Sequence, residues 1–189
     1  MMPPIERGES IPSVKRTPTR AKASPLSWPL LVPCAPSVLR CRLPWVLCIV
    51  TVSAEYVQLV PGAILPLVTE NTPFRAVVIV EGDVTPEWQA SVSDWLVQSG
   101  CLYMMAWGRN CSSWDDSVDH ANMKEFAFGE IPEDKFVMTT WHTNDPLHEV
   151  FWFSKNNAVH PSVELEHSLL LHISPLNKSA ELLSAYADA

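Results

Sequence analysis

The most informative junction in this sequence is Ala106-Trp107-Gly108-Arg109-Asn110-Cys111-Ser112-Ser113-Trp114-Asp115-Asp116-Ser117-Val118-Asp119-His120. An apolar run ends there, the chain turns at a glycine, and a helix begins, which is the strand-to-helix junction of an α/β domain. Ser113-x-x-Asp116 is a capping-box pattern with Asp in place of Glu or Gln, so Ser113, or Ser112 beside it, is predicted to cap the helix. Trp114 and Val118 then share one helical face.

The residues before this junction predict a strand–helix–strand unit. Residues 74–81 form a continuous β-branched run, which is typical of a strand buried on both faces. Thr85-Pro86 predicts a helix start with a threonine cap, and Gly100 predicts the helix end. Residues 101–107 form a second apolar run, so the unit is complete within about 35 residues, the usual size of a βαβ motif.

The same alternation continues toward the carboxyl terminus. Residues 136–141 predict a third strand, Asp145-Pro146 predicts the start of a third helix, and residues 165–173 predict a fourth strand. Residues 55–60 alternate weakly between polar and apolar side chains and could form a further short strand, and the carboxyl-terminal tail suggests a last, marginal helix. The sequence therefore predicts an α/β domain, a three-layer sandwich with a mainly parallel sheet of about four strands, Rossmann-like or flavodoxin-like.

The net charge and the proline content of the chain both change abruptly at about residue 54. Residues 1–53 hold seven Lys or Arg, two Glu and nine of the seventeen prolines, whereas residues 54–189 hold six Lys or Arg against nineteen Asp or Glu. We therefore expect one α/β domain over residues 54–189. For residues 1–53 two interpretations stay open: a disordered tail, or translation that begins at Val52. A secretion signal fits less well, because its polar lead would be long and rich in proline.

Composition also bears on partners and location. A net charge of −13 over residues 54–189 argues against binding to a nucleic-acid backbone, which needs clustered cations. The apolar, uncharged run from Leu43 to Ala54 is about 12 residues long, too short to span a bilayer, so no membrane partner is expected. Five cysteines without a C-x-x-C pair predict reduced thiols in the cytoplasm. No dinucleotide, P-loop or nucleophile-elbow motif occurs, and no cofactor is expected.

Several short motifs carry a resemblance. They are Ala106-Trp107-Gly108, Cys111-Ser112-Ser113-Trp114-Asp115-Asp116-Ser117-Val118-Asp119, Thr139-Thr140-Trp141-His142 and Glu149-Val150-Phe151-Trp152-Phe153. Together they resemble a family of small bacterial domains of unknown function over about residues 54–175. The resemblance implies no catalytic roles, because no activity is assigned to that family.

The chain pattern places the candidate site at the carboxyl edge of the sheet. In parallel α/β sheets, ligands bind beyond the carboxyl ends of the strands. We expect a shallow crevice there, lined by Asp83, Arg109, Cys111 and His142 with Asn110 and Thr143. The helix amino termini at this edge and the cation of Arg109 favour a small anionic ligand despite the acidity of the domain.

Two classes of function stay open at this point. The preferred one is a binding or interaction module whose partner is an unknown protein or a small anionic ligand. The alternative is a small hydrolase or transferase with Cys111 as nucleophile and His142 as base, or with a metal held by Asp115, Asp116 and Asp119. Those aspartates oppose a thiolate at Cys111, and acids in a first helical turn usually serve as caps.

Overall fold

The structure is a computed structural model that describes residues 54–67 and 72–189, so the interpretations of residues 1–53 lie outside the described residues. Its elements in chain order are β1 Ala54–Leu59, β2 Phe74–Val80, α1 Pro86–Gln98, β3 Cys101–Gly108, α2 Cys111–Glu125, a 3-10 turn Glu133–Lys135, β4 Met138–His142, α3 Leu147–Asn156, β5 His167–Ile173 and α4 Ser179–Asp188.

The five strands form one parallel sheet in the order β1-β5-β2-β3-β4. The α/β class and the parallel sheet predicted from sequence are confirmed, while a Rossmann-like or flavodoxin-like arrangement stays a prediction. The sheet has one strand more than the four expected. The fifth is β1, which pairs with β5 from Ala54 opposite Ser168 to Leu59 opposite Ile173. A short strand whose partner lies that far along the chain is hard to recognise locally.

Helices cover both faces of the sheet. Alternate residues of β2 point to opposite sides, so Ala76 and Val78 pack with α1 and α2, whereas Val77 and Ile79 pack with α3 and α4. All four of these β2 side chains are fully buried. This explains why residues 76–80 of β2 are apolar without interruption rather than alternating with polar residues, and it confirms the three layers.

The start of α1 is as predicted and the start of α2 is not. Thr85 caps α1 by accepting a hydrogen bond from the Trp88 amide, with Pro86 at the first helical position. The prediction that Ser113 caps α2 is wrong, because α2 already begins at Cys111. Asn110 takes a left-handed conformation with φ of 50°, which allows the helix to start earlier. The Ser113 hydroxyl instead donates back to the Asn110 carbonyl.

Two other boundaries differ from those predicted. β4 begins at Met138, two residues later than expected, because the Val137 amide bonds to the Asn122 side chain rather than to a strand. Asp145 does not cap α3, since its carboxylate accepts from His142 instead. No helix within the two described ranges is long and apolar enough to cross a membrane.

Candidate functional site

A close approach between β2 and β3 shapes the carboxyl edge. Gly108, with φ of +99°, ends β3 so near to β2 that a Cβ atom there would lie 2.3 Å from the Val80 carbonyl oxygen. The next amide, of Arg109, donates to that same oxygen at 2.9 Å. Only glycine fits both the space and the backbone conformation. The turn therefore holds Arg109 beside the loop that follows β2.

That geometry brings two of the expected site residues together. Arg109 Nη1 lies 2.5 Å from Asp83 Oδ1, and both side chains are largely exposed. Asn110, the next expected ligand residue, forms the left-handed turn into α2, and its side chain makes no capping hydrogen bond. Arg109 and Asp83 thus form a charged pair at the mouth of the space between α1 and α2.

Cys111 and His142 are held in different surroundings. Cys111 is 2% exposed and belongs to the core under α1 and α2, and its Sγ lies 3.6 Å from the Thr143 hydroxyl. His142 bonds through Nδ1 to Asp145 at 2.8 Å, and its ring packs edge-on against Phe153 of α3, on the opposite face of the sheet. No hydrogen bond joins the thiol of Cys111 to the imidazole of His142 within the described residues.

The three aspartates considered for a metal are directed differently. Asp119 Oδ1 accepts from the Thr139 hydroxyl at 2.9 Å, and Asp116 lines the space between α1 and α2. Across residues 54–67 and 72–189, no three His, Cys, Asp or Glu side chains come close enough together to hold a metal ion. The described residues therefore offer no set of ligands for the metal-dependent enzyme considered above.

A groove of about 780 Å³ lies between α1 and α2, hereafter the α1–α2 groove. It starts at the loops after β2 and β3 and follows the two helices, with Val80 and Trp114 among its apolar lining residues. Its acidic and basic lining residues are Asp83, Asp94, Arg109, Asp116 and Lys124, and its other polar ones are Gln89, Asn110, Ser112, Ser113, Ser117 and His120.

Charges in the α1–α2 groove are mostly paired. Lys124 Nζ lies 2.6 Å from Asp94 Oδ2 at one end, and Arg109 is bound to Asp83 at the other. Asp116 is the acid in the groove without such an ion pair. Gln89 reaches across from α1 to donate to the Ser113 carbonyl, which ties the two helices together.

A second polar cluster, which sequence reasoning missed as a unit, lies where β2 and β5 meet. β2 leads to α1 on one face and β5 leads to α4 on the other, which makes this the switch point of the sheet. His172 is fully buried, and its Nδ1 lies 2.9 Å from the Tyr56 hydroxyl. Its Nε2 is 3.2 Å from Glu81 Oε2, although the angle is too bent for a good hydrogen bond.

Glu81 is the centre of this switch-point cluster. Its carboxylate also accepts from Lys178 Nζ at 2.6 Å and from the Ser174 hydroxyl at 3.3 Å. Partial burial by itself raises the pKa of Glu81, but the hydrogen bond from Lys178 and the contacts with the charges of Lys178 and His172 outweigh burial and leave that pKa below its usual value. In turn, the bond to Glu81 raises the pKa of Lys178. The cluster joins β1, β2, β5 and the start of α4.

Both cysteines in the described part of the chain are free thiols. Cys101 is fully buried at the start of β3, and this burial raises the pKa of its thiol to about 12. A thiol with such a pKa is inert at neutral pH.

Comparison with known proteins places the chain in a family. No curated protein and no solved structure matches it. A family model described as "Domain of unknown function (DUF7684)" matches residues 54–189. The expected resemblance to a domain family of unknown function is thereby confirmed, and the match extends beyond residue 175 to include α4. The chain belongs to this domain family, DUF7684.

Proposed function

We propose that this domain is a binding module and that its ligand, a small molecule with an anionic group, occupies the α1–α2 groove. The observation that carries the proposal is the groove itself. Its volume of about 780 Å³ is within the range of about 300–1,000 Å³ that is usual for ligand sites. It also opens at the carboxyl edge, where ligands of parallel α/β sheets bind.

Arg109 is the cation that we assign to the anionic group of the ligand. Its pairing with Asp83 is no obstacle, because both side chains are exposed and such a pair contributes only about 0–1 kcal/mol. An incoming carboxylate or phosphate exchanges one anionic partner of Arg109 for another. The first turn of α2, which carries no acidic residue, adds backbone N–H groups at the same end of the groove.

The rest of the groove favours a ligand that is polar but not highly charged. Asp94 and Asp116 disfavour additional negative charge along the helices. Ser113, Ser117 and Gln89 offer hydroxyl and amide groups to the neutral part of the ligand. We therefore assign one anionic group to the Arg109 end and uncharged hydrogen-bonding groups to the remainder.

The enzymatic alternative has weaker support. A nucleophile and its base need to be within hydrogen-bonding reach, but Cys111 contacts Thr143 while His142 bonds to Asp145. The cytoplasmic location expected from the cysteines stays a prediction.

Calorimetric titration tests the proposal. Inorganic phosphate, citrate and a phosphorylated sugar are titrated into the full chain and into Arg109→Ala, with Lys135→Ala as a control that removes an exposed cation outside the groove. We expect saturable binding of at least one of these anions, weakened about tenfold or more in Arg109→Ala and unchanged in Lys135→Ala. If no anion binds, or if Arg109→Ala binds as well as the parent chain, the proposal fails.

A further inference from the structure

Among the described residues, the outer edge of β4 is unpaired. In this part of the chain β4 lies at one end of the sheet, and its one partner strand is β3. Within the described residues no backbone hydrogen bond joins Met138–His142 to any other segment. Sheet edges usually carry a lysine, a glutamate or a proline that prevents pairing with another chain. β4 has none of these residues, since it reads Met-Thr-Thr-Trp-His.

Acidic and aromatic groups flank this edge on the α2 side. Asp119 of α2 accepts from Thr139, which fixes the face to which Thr139 points. Trp141 lies two residues further along β4, so it is on the same face, and it is 52% exposed. Asp115 precedes Asp119 by one helical turn, so it lies over the same side. Asp115 Oδ1 is buried and has no hydrogen-bond partner.

The carboxylates on this side are crowded. Burial raises the pKa of Asp119, and the charges of Asp115 and Asp116 raise it further, while the Thr139 hydroxyl opposes the shift. A cation beside Asp115 and Asp119 would relieve this repulsion. The half-exposed indole of Trp141, on the same side of β4, is a second group that attracts a cation.

The other side of the edge begins with apolar residues. Phe136 continues β4 in extended conformation and is 47% exposed. Phe136, Met138 and Thr140 are alternate residues of an extended chain, so their side chains share one face. Met138 packs with the core under α3, so this face is the α3 side of the sheet. A segment added to β4 thus meets acids and an indole on one face and a phenyl ring on the other.

We propose that the free edge of β4 binds an extended segment of a partner protein in which basic residues alternate with apolar residues, paired to β4 as an additional strand. The backbone pairing supplies affinity, and the alternating side chains supply selectivity. The basic residues meet Asp115, Asp119 and Trp141, and the apolar residues meet Phe136. This surface is separate from the α1–α2 groove.

A second copy of the chain is a poor occupant of the same edge. Two-fold symmetric pairing of β4 with its copy keeps the helices of each face together, so two α2 helices meet side by side. Asp115 and Asp119 then oppose their counterparts, and like charges at such a distance disfavour association. The net charge of −13 over residues 54–189 acts in the same direction.

A synthetic peptide in which lysine and valine alternate over about eight residues, a length that covers β4 and Phe136, is the probe. Its binding to the full chain is measured by fluorescence anisotropy of a dye on the peptide. One control peptide alternates glutamate with valine, and another has the same lysines and valines in two blocks. We expect saturable binding of the alternating lysine peptide and at least about tenfold weaker binding of both controls.

Matched variants locate the site. Trp141→Ala and Asp119→Asn are each expected to weaken the binding of the alternating lysine peptide about tenfold. Trp152→Ala removes a tryptophan that is equally exposed, at 52%, and Glu55→Gln removes an exposed carboxylate of β1, at the opposite end of the sheet. Both of these controls are expected to bind the peptide as the parent chain does, and so is Arg109→Ala, which separates this test from that of the groove.

Several outcomes overturn the proposal. They are the absence of saturable binding, equal affinity for the blocked and alternating lysine peptides, and binding that survives Trp141→Ala and Asp119→Asn together. A dimer in sedimentation that Trp141→Lys dissociates also overturns it, because the edge then belongs to a second copy.

Discussion

The guanidinium of Arg109 and the carboxylate of Asp83 lie 2.5 Å apart, Nη1 to Oδ1, and join the loops that follow β3 and β2. Arg109 directly follows β3, and Asp83 lies in the loop that follows β2. The two side chains meet because β2 and β3 are parallel neighbours, so their carboxyl ends lie at the same edge of the sheet. The pair stands at the entrance of the α1–α2 groove. An exposed ion pair is easily exchanged, which suits a residue that takes up an anion.

The first prediction concerns the turn that positions Arg109. Gly108→Ala places a Cβ atom 2.3 Å from the Val80 carbonyl, a backbone atom that also accepts from the Arg109 amide. We expect the free energy of unfolding to fall by at least about 3 kcal/mol in a denaturant titration. Gly62→Ala is the control, since φ is also positive there, at +81°, but the space is open. Gly62→Ala should lower the free energy of unfolding by only about 1 kcal/mol. Equal losses in the two variants would show that the close approach of Gly108 to Val80 is not what makes glycine necessary there.

The second prediction is a pH dependence that comes from Glu81. Its pKa in the folded protein is below the usual value of 4.5, so its ionised form stabilises the fold above that pH. This stabilisation is lost as the pH falls through the lower, folded-state pKa. Glu81→Gln should therefore lower the melting temperature at about pH 7, and the difference from the parent chain should shrink at about pH 3.

Melts of Glu166→Gln serve as the control for Glu81→Gln. Glu166 is exposed, and neither an ion pair nor a side-chain hydrogen bond is formed by it within the described residues. A difference between Glu81→Gln and the parent chain that stays constant from neutral to acid pH would show that Lys178 and His172 do not stabilise the ionised carboxylate.

The third prediction separates a binding module from a thiol enzyme. Cys111 is 2% exposed, so a maleimide should label it only as fast as the protein unfolds. Mass spectrometry of the labelled peptides distinguishes Cys111 from the other four cysteines. We expect labelling of Cys111 to follow the denaturant transition, with the same rate in His142→Ala. Rapid labelling of the native protein at neutral pH that His142→Ala abolishes would favour the enzyme instead.

The local sequence was sufficient to predict those strands and helix ends whose sequence signal lies within a few residues. The β-branched run of β2, the Thr85-Pro86 start of α1 and the positive-φ residue Gly100 are of this kind. It was misleading at Ser113, where the capping-box pattern is present but the left-handed Asn110 lets α2 begin two residues earlier. Whether a residue before a helix turns left-handed depends on how the preceding strand ends, here at Gly108.

The parts of the site that escaped prediction depend on strand order. Tyr56, Glu81 and His172 come from three strands and meet only because β5 lies between β1 and β2. The groove likewise depends on how α1 packs beside α2. By contrast, Asp83 and Arg109 were placed correctly at the same edge from topology alone, because the strands they follow are consecutive and parallel.

Amide chemical-shift mapping of phosphate binding locates the anion site residue by residue. In two-dimensional spectra of the isotope-labelled chain, we expect saturable shifts clustered at Asp83, Arg109, Ser112 and Ser113, which line one end of the α1–α2 groove. Ala90→Trp, which adds bulk at an exposed groove position while keeping the charges, should abolish these shifts. Shifts that survive Ala90→Trp, or that cluster at Glu81 and Lys178 instead, would contradict the assignment of the groove as the binding site.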